Sequence, residues 1–312
     1  MALKKFAKMF PHRRAILRCR LASFCQCCPV PKFESEPFRE LVRAALAEDI
    51  GSGDVTSEAL LPGNATACAA ITAREHLTIA GLDIAKLCFE ETDPNMDIEQ
   101  TANDGDCIDS SQSPLRLVGL ARSILSAERT ALNFLQRLSG IATLTSRYAD
   151  AIKDTNAKLL DTRKTTPGWR ALEKHAVACG GGTNHRMGLH DMVMIKDNHL
   201  AALRGEPKPI ATAIKRAREK FPNLKIEVEA DTLEQVMQAT NAGADIILLD
   251  NMMPDQLRTA VEQTAGRCQL EASGGITLEN THAIAETGVD FISVGALTHS
   301  APAADLALDW LP

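Results

Sequence analysis

The chain has 312 residues, of which 45% are hydrophobic and 24% charged, enough for one large or two medium-sized globular domains. Aromatic residues make up only 4%, which disfavours a stacking platform for single-stranded nucleic acid. The formal net charge of −6 disfavours a general nucleic-acid binder. No apolar run is long enough to cross a bilayer as a helix. We therefore expect no nucleic-acid partner and no membrane span.

The charge is distributed unevenly along the chain. Residues 1–33 contain eight lysines and arginines and no acidic residue, whereas residues 34–121 contain five basic and 17 acidic residues. Residues 122–200 contain 12 basic residues, seven acidic residues and four of the eight histidines, and residues 201–312 contain nine basic and 16 acidic residues. A cationic segment within an acidic chain is typical of a site for an anionic small molecule. A chance arrangement of solvated helix faces is the alternative.

Residues 1–33, the leader, have the basic and acid-free composition of an organellar transit peptide, although they are poor in serine. A disordered extension and a start codon placed too far upstream are the alternatives. The nine cysteines follow no secretory signal, which favours reduced thiols over a disulfide framework. We expect a cytoplasmic protein, or an organellar one if the leader is a transit peptide.

The first half of the chain after the leader shows mixed periodicity. Apolar spacing predicts a helix over residues 35–49 and short strands around one helix near residues 80–90. The intervening segment 48–56 is polar and rich in glycine, which predicts a turn. Apolar residues at helical spacing predict a long helix over residues 128–152, which we expect to join two domains.

From residue 155 onwards the sequence alternates between strand and helix patterns. Strands are predicted at residues 158–161, 193–196, 225–229, 245–250, 268–271 and 291–294. Helices are predicted at residues 169–178, 208–221, 232–241, 254–265 and 277–286. The strands are short apolar runs without clean alternation, as expected when both faces of a sheet are covered. This repetition predicts an α/β fold with a parallel sheet, and the number of units indicates a βα barrel.

Acidic side chains recur where three of these strands are predicted to end. Glu229, Asp250 and Glu271 are spaced 21 residues apart. Because the carboxyl ends of barrel strands meet at one mouth, we expect the three acids on one rim. Carboxylates there could hold sugar hydroxyls, or Mg²⁺ together with substrate phosphates. Helix capping and solvation of the rim are the alternatives.

Two turns that contain glycine follow the last two predicted strands. Ser273 and Gly274 precede one helical pattern, and Gly295 follows the final strand. Small residues in late βα turns allow backbone N–H groups to approach a phosphate at the N-terminus of a helix. The alternative is that these turns need glycine for their conformation alone.

Basic residues form the other half of the predicted site. They are Arg129 on the long helix, Arg163 and Lys164 after a strand, His185 and Arg186 in a glycine-rich loop, and Lys196 at a strand end. Arginine binds carboxylates and phosphates in a bidentate manner, whereas lysine acts as a point charge. Several such cations on one rim repel each other and call for a multiply anionic ligand. The glycine-rich nucleotide-binding motifs are missing, and the histidine spacing disfavours zinc.

Nine sequence blocks, in order along residues 40–300, resemble the quinolinate phosphoribosyltransferase family. They are EDIGSGDVTS, ERTALNFLQRLSGIAT, DTRKTTPGWR, GGGTNHRMGL, MIKDNH, EVEADTLEQ, ILLDN, EASGGIT and VGALTHS. The leader lies outside these blocks. The order and number of the blocks make a chance match implausible.

The resemblance implies both a reaction and an architecture. Quinolinate and phosphoribosyl pyrophosphate would give nicotinate mononucleotide, pyrophosphate and carbon dioxide with Mg²⁺ as cofactor, a step of de novo NAD biosynthesis. An N-terminal α+β sandwich domain would accompany an incomplete parallel βα barrel. The implied boundaries are a leader at 1–33, the sandwich at 34–134, the barrel at 135–301, and a segment at 302–312 that returns to the sandwich.

The resemblance also implies residue roles. Arg163, His185 and Arg186 would bind the quinolinate carboxylates. Arg129 would come from the partner subunit of a homodimer or higher even oligomer, in which the sandwich of one subunit covers the barrel of the other. The catalytic Lys164 and Lys196 would lie between quinolinate and pyrophosphate. The catalytic Glu229 and Asp250 would bind the ribose hydroxyls and the metal. The 5′-phosphate would be bound by Ser273, Gly274 and Gly295, and His299 would lie near the pyrophosphate.

Two other functions fit the same residues. A related phosphoribosyltransferase could act on another pyridine or pyrrole acid, and it would release no carbon dioxide from an acceptor such as nicotinate. A catalytically inactive phosphate-binding barrel could sense a metabolite, although sensing would not need the full set of lysines and acids. A Ser–His catalytic pair is disfavoured, because the pyridinium formed by ribosylation can accept the electrons of decarboxylation without a side-chain nucleophile.

Overall fold

The structure is a computed structural model that describes residues 34–312. The leader, and with it the transit-peptide hypothesis, lies outside the described residues. Over residues 34–312, no helix is both long enough and apolar enough to cross a membrane.

An antiparallel sheet forms the N-terminal unit of the fold. Its strand order is β12-β1-β5-β3, with β1 at Thr66–Ala73, β3 at Asp97–Gln100, β5 at Leu115–Leu120 and β12 at Leu306–Leu311. A separate two-stranded ladder pairs β2 (Leu77–Thr78) with β4 (Cys107–Ile108). Since β12 pairs along β1, the C-terminal end of the chain completes a sheet that the N-terminal residues begin.

Three helices accompany this sheet: α1 at Arg39–Ile50, α2 at Val55–Leu60 and α3 at Leu82–Thr92. The predicted helices near 35–49 and 80–90 correspond to α1 and α3. No helix was predicted at α2, which begins at the end of the predicted turn 48–56, because six residues hold too little periodicity to indicate one. Asp54 begins α2 as its N-cap, accepting a hydrogen bond from the Ser57 amide at 3.0 Å.

A single long helix, α4 at Ala121–Ile152, connects the sheet to the second unit. It begins seven residues before the predicted start, because β5 passes into the helix at Leu120 with no turn between them. Its inward face is apolar, and Leu135 and Leu138 are fully buried. A side chain at Gly140 would meet the Pro302 carbonyl oxygen at 1.9 Å, so glycine is required where the C-terminal segment crosses the helix.

The second unit is a six-stranded parallel sheet with the order β6-β11-β10-β9-β8-β7. The strands are β6 at Lys158–Leu160, β7 at Val193–Ile195, β8 at Ile226–Ala230, β9 at Ile246–Asp250, β10 at Gln269–Ser273 and β11 at Phe291–Ser293. Within residues 34–312, β6 and β7 do not pair with each other, and Thr183 instead forms an isolated parallel bridge with Leu160. The predicted α/β fold with an incomplete barrel is confirmed.

Helices follow the barrel strands at Arg170–Cys179 (α5), Asp197–Ala201 (α6), Pro209–Lys220 (α7), Leu233–Asn241 (α8), Pro254–Thr264 (α9), Thr281–Ala285 (α10) and Ala296–His299 (α11). The helix predicted at 277–286 is therefore shorter than expected. The Asn280 side chain accepts from the Thr277 amide at 2.8 Å and donates to the Gly275 carbonyl at 2.9 Å. These bonds stabilise a turn in place of the first helical residues.

A buried ion pair lies where β6 meets α5. Asp161 and Lys174 are both fully buried, and the Lys174 ammonium donates to the Asp161 carboxylate. The same ammonium donates to the His185 carbonyl at 3.0 Å, and Asp161 accepts from the His185 amide at 2.8 Å. Burial raises the pKa of Asp161 and lowers that of Lys174, and each charge offsets this effect on the other. The pair therefore fixes the loop that contains His185.

We predict that Lys174→Met lowers the free energy of unfolding by about 3–5 kcal/mol, because it leaves the Asp161 carboxylate buried without its counter-ion. Urea denaturation measures the change. Lys215→Met is the matched control, since the Lys215 side chain is 76% exposed and its loss should stay within about 0.5 kcal/mol. Equal effects of the two substitutions would contradict the structural role of the pair.

Candidate active site

A cavity of about 470 Å³ opens at the carboxyl ends of the barrel strands. Nine of the residues predicted from the sequence line it: Arg163, Lys164, His185, Arg186, Lys196, Glu229, Asp250, Glu271 and Ser273. The other lining residues are Asp161, Thr162, Met194, Leu248 and Ser293. The structure thus brings together side chains that are more than 100 residues apart in the sequence.

The pleat of the strands determines which side chains enter the barrel. Residues two apart on a strand share a face, so Glu229 lies above Glu227 on β8, and Ser273 lies above Glu271 on β10. Glu271 was expected on the rim with the other acids, and this expectation is wrong. The strand continues to Ser273, and Glu271 is 1% exposed in the layer below.

Two arginines in the cavity form no ion pair with a carboxylate of residues 34–312. The Arg163 Nε is buried and has no hydrogen-bond partner within residues 34–312. Arg186 donates to the Met192 carbonyl at 3.2 Å and contacts the Met194 sulfur at 3.3 Å. Burial lowers the pKa of Arg186, and the nearby charge of Arg163 lowers it further. Two neighbouring cations in a partly buried site favour the binding of an anion between or beside them.

Lys196 and Glu229 meet across the upper layer of the cavity. The Lys196 ammonium donates to Glu229 Oε2 at 2.6 Å, and their side chains are 43% and 15% exposed. On the next strand, Asp250 accepts from the Asn251 side-chain amide at 2.8 Å. These two carboxylates are oxygen donors at an accessible rim. Their chemistry suits a hard divalent cation that also binds substrate phosphates.

His185 sits in the lower layer of the cavity. Its Nε2 lies 3.2 Å from Glu227 Oε2 and 3.3 Å from Glu271 Oε2, and its Nδ1 accepts from the Arg186 amide at 2.7 Å. Burial opposes a charge on the ring, but the two carboxylates outweigh it and raise the pKa of His185 to about 9. Burial raises the pKa of Glu227 to about 7. Glu227 was not predicted as a site residue, although the two acids of Glu-Val-Glu on one strand must share a face.

The two glycine-containing turns bring backbone close to the cavity mouth. Gly274 has φ +88°, and a Cβ there would lie 2.2 Å from the Asn251 side-chain oxygen. A Cβ on Gly295 would lie 3.0 Å from Lys164 Cδ and 3.1 Å from His299 Nε2. Lys164 and His299 therefore approach the same turn, and the absence of a side chain leaves its backbone accessible.

Four predicted site residues are not among those that line the cavity: Gly274, Gly295 and His299 in the turns described above, and Arg129. Arg129 is exposed on α4 and does not line the cavity of its own chain.

One further cluster of potential ligands joins the two units outside the cavity. His175 Nε2 on α5 is 2.9 Å from Asp104 Oδ2 and 3.4 Å from the Cys179 sulfur. Asp104 also caps α3 by accepting from the amides of Gly81 and Leu82, each at 3.0 Å. These hydrogen bonds explain the cluster as a contact between the sheet and the barrel.

Comparison with known families matches both units. The family model described as the N-terminal domain of quinolinate phosphoribosyl transferase matches residues 54–139. The model described as the C-terminal domain of the same enzyme matches residues 141–309. The match covers the antiparallel sheet and the barrel together.

Individual proteins agree with this result. The chain is 42% identical to "Quinolinate phosphoribosyltransferase [decarboxylating] 2b, mitochondrial" of Nicotiana tabacum, covering 89% of this chain and 83% of the relative. It is 44% identical to the "Probable nicotinate-nucleotide pyrophosphorylase [carboxylating]" of Bacillus subtilis, covering 87% and 92%. The solved nicotinate-nucleotide pyrophosphorylase of Francisella tularensis is 41% identical and superposes with a TM-score of 0.85 over 90% of this chain and 99% of that chain. The chain belongs to the quinolinate phosphoribosyltransferase family.

Proposed function

We propose that the chain transfers the phosphoribosyl group of phosphoribosyl pyrophosphate to quinolinate with decarboxylation. The products are nicotinate mononucleotide, pyrophosphate and carbon dioxide. The observation that carries this proposal is that one cavity is lined both by the acids Glu229 and Asp250 and by Arg163 and Arg186, which form no ion pair with a carboxylate of residues 34–312. The names of the relatives support the same reaction.

Quinolinate fits the cationic side of the cavity. It is a planar aromatic acid with two carboxylates, and each carboxylate suits the fork of an arginine. In this proposal Arg163, Arg186 and His185 form the side of the cavity that binds the two carboxylates. An apolar side chain, Leu248, also lines the cavity and can contact the ring.

Phosphoribosyl pyrophosphate fits the rest of the mouth. The 5′-phosphate binds the turns at Ser273, Gly274 and Gly295, where the two glycines have no side chain to block an approach to the backbone. Glu229 and Asp250 bind the ribose hydroxyls and would hold Mg²⁺, which suits their carboxylate oxygens. When bound, Mg²⁺ would help to neutralise the pyrophosphate.

The chemistry follows from this placement. Displacement of pyrophosphate develops positive charge on the ribose, and the carboxylates of Glu229 and Asp250 stabilise it electrostatically. Lys164 and Lys196 offset the charge of the leaving pyrophosphate, with His299 nearby. Ribosylation turns the quinolinate nitrogen into a pyridinium, which accepts the electron pair left when the adjacent carboxylate departs as carbon dioxide.

The proposal includes a homodimer or higher even oligomer. Arg129 is exposed and lies outside the cavity of its own chain, which supports its acting in the cavity of a partner subunit. It would add a further cation to the quinolinate carboxylates. We place the reaction in the cytoplasm, with an organelle as the alternative if the leader acts as a transit peptide.

We predict that the protein releases carbon dioxide from carboxyl-labelled quinolinate when phosphoribosyl pyrophosphate and Mg²⁺ are supplied, and that it forms nicotinate mononucleotide. Arg163→Ala should abolish turnover and leave the circular dichroism spectrum unchanged, because a carboxylate loses its bidentate partner. Turnover of nicotinate without carbon dioxide release would instead favour the related phosphoribosyltransferase. Binding without any turnover would favour a metabolite sensor.

We predict that two inactive variants restore activity when mixed. Arg129→Ala removes a residue supplied to the partner, and Lys196→Ala removes one used within the chain. Subunit exchange should produce mixed dimers in which one of the two cavities is complete. Activity above that of either variant alone supports the shared site, whereas no recovery after demonstrated exchange contradicts it.

A further inference from the structure

Two buried carboxylates at the base of the cavity have no role in the reaction as described above. Glu227 is fully buried and Glu271 is 1% exposed. Both oxygens of Glu227 and one oxygen of Glu271 lack a hydrogen bond of good geometry within residues 34–312. Burying a carboxylate in this way lowers the stability of the fold, and apolar residues of similar size would usually be less destabilising. Their presence calls for an explanation other than stability.

The two carboxylates converge on one atom. Glu227 extends from β8 and Glu271 from β10, two strands that lie on either side of β9. An oxygen of each lies at ion-pair distance from His185 Nε2, at 3.2 and 3.3 Å. The His185 side chain is only 8% exposed, so little water competes with these contacts.

The backbone and the ring of His185 are held by separate groups. Asp161 at the end of β6 binds its amide, and Lys174 on α5 binds its carbonyl. The ring is contacted by the two glutamates at Nε2 and by the Arg186 amide at Nδ1. The buried ion pair therefore determines where the residue sits, and the two glutamates determine how its ring is turned.

We propose that Glu227 and Glu271 are positioning residues for substrate recognition: they hold His185 by its Nε2 edge and, through the Nδ1 that accepts from the Arg186 amide, fix the loop that binds a quinolinate carboxylate. This inference rests on the proposed function, because it assigns that loop a ligand. The two glutamates act on the reaction through the histidine ring.

Charge-neutral variants of the same size test the proposal. In Glu227→Gln and in Glu271→Gln, the KM for quinolinate should rise about tenfold, while the KM for phosphoribosyl pyrophosphate changes less than about twofold. The matched control is Asp245→Asn, at the opposite end of the same barrel, where Asp245 accepts from the Ile226 amide at 2.7 Å. That substitution should lower the free energy of unfolding and leave both KM values unchanged.

A double-mutant cycle with His185→Ala separates positioning from a general structural effect. If the glutamates act through the ring, Glu271→Gln should not raise the KM for quinolinate further in the His185→Ala background. Additive effects, or unchanged KM values in both single glutamine variants, would overturn the proposal. If Glu227→Gln does not fold, Glu271→Gln and its cycle carry the test. Absence of wild-type turnover with quinolinate would refute the proposed function itself, so the two failures are distinguishable.

Discussion

The fold and the site both depend on the ion pair between Asp161 and Lys174 inside the barrel mouth. Two opposite charges in a medium of low polarity attract strongly only when they are in contact, so the pair fixes the distance between β6 and α5. Each partner also binds one backbone group of His185. The loop that contains His185 and Arg186 is thereby held without a regular strand or helix of its own. Recognition of an anion by that loop requires this rigidity.

The charged side chains that line the cavity are arranged in two layers along the barrel. The lower layer holds the acids Glu227 and Glu271 around His185, and the upper layer holds Glu229 against Lys196. Arg163 and Arg186 also line the cavity, and because they form no ion pair within residues 34–312, they can bind an anionic substrate without first breaking one. This arrangement favours binding of a small acid next to a ribose phosphate, which is the combination that the proposed reaction requires.

Much of the fold and of the candidate site could be predicted from periodicity and spacing in the sequence. All six barrel strands were located to within two residues, because short apolar runs followed by helical patterns have few other interpretations. The cavity residues were found for a similar reason, since they follow strand ends in a parallel sheet. The errors have physical causes. Helix α4 starts early because β5 enters it without a turn, and Glu271 lies below the rim because β10 runs two residues longer than its apolar run suggests.

The sequence by itself determined the fold class, the family resemblance and which charged residues could bind an anion, because these follow from local patterns along the chain. Only the tertiary structure decided that Lys174 is buried against Asp161, that Glu227 and Glu271 meet at one nitrogen of His185, and that Arg129 lies outside its own cavity. Burial and contact between residues distant in sequence depend on how strands and helices pack. Packing, unlike periodicity, is not encoded in any short segment of the chain.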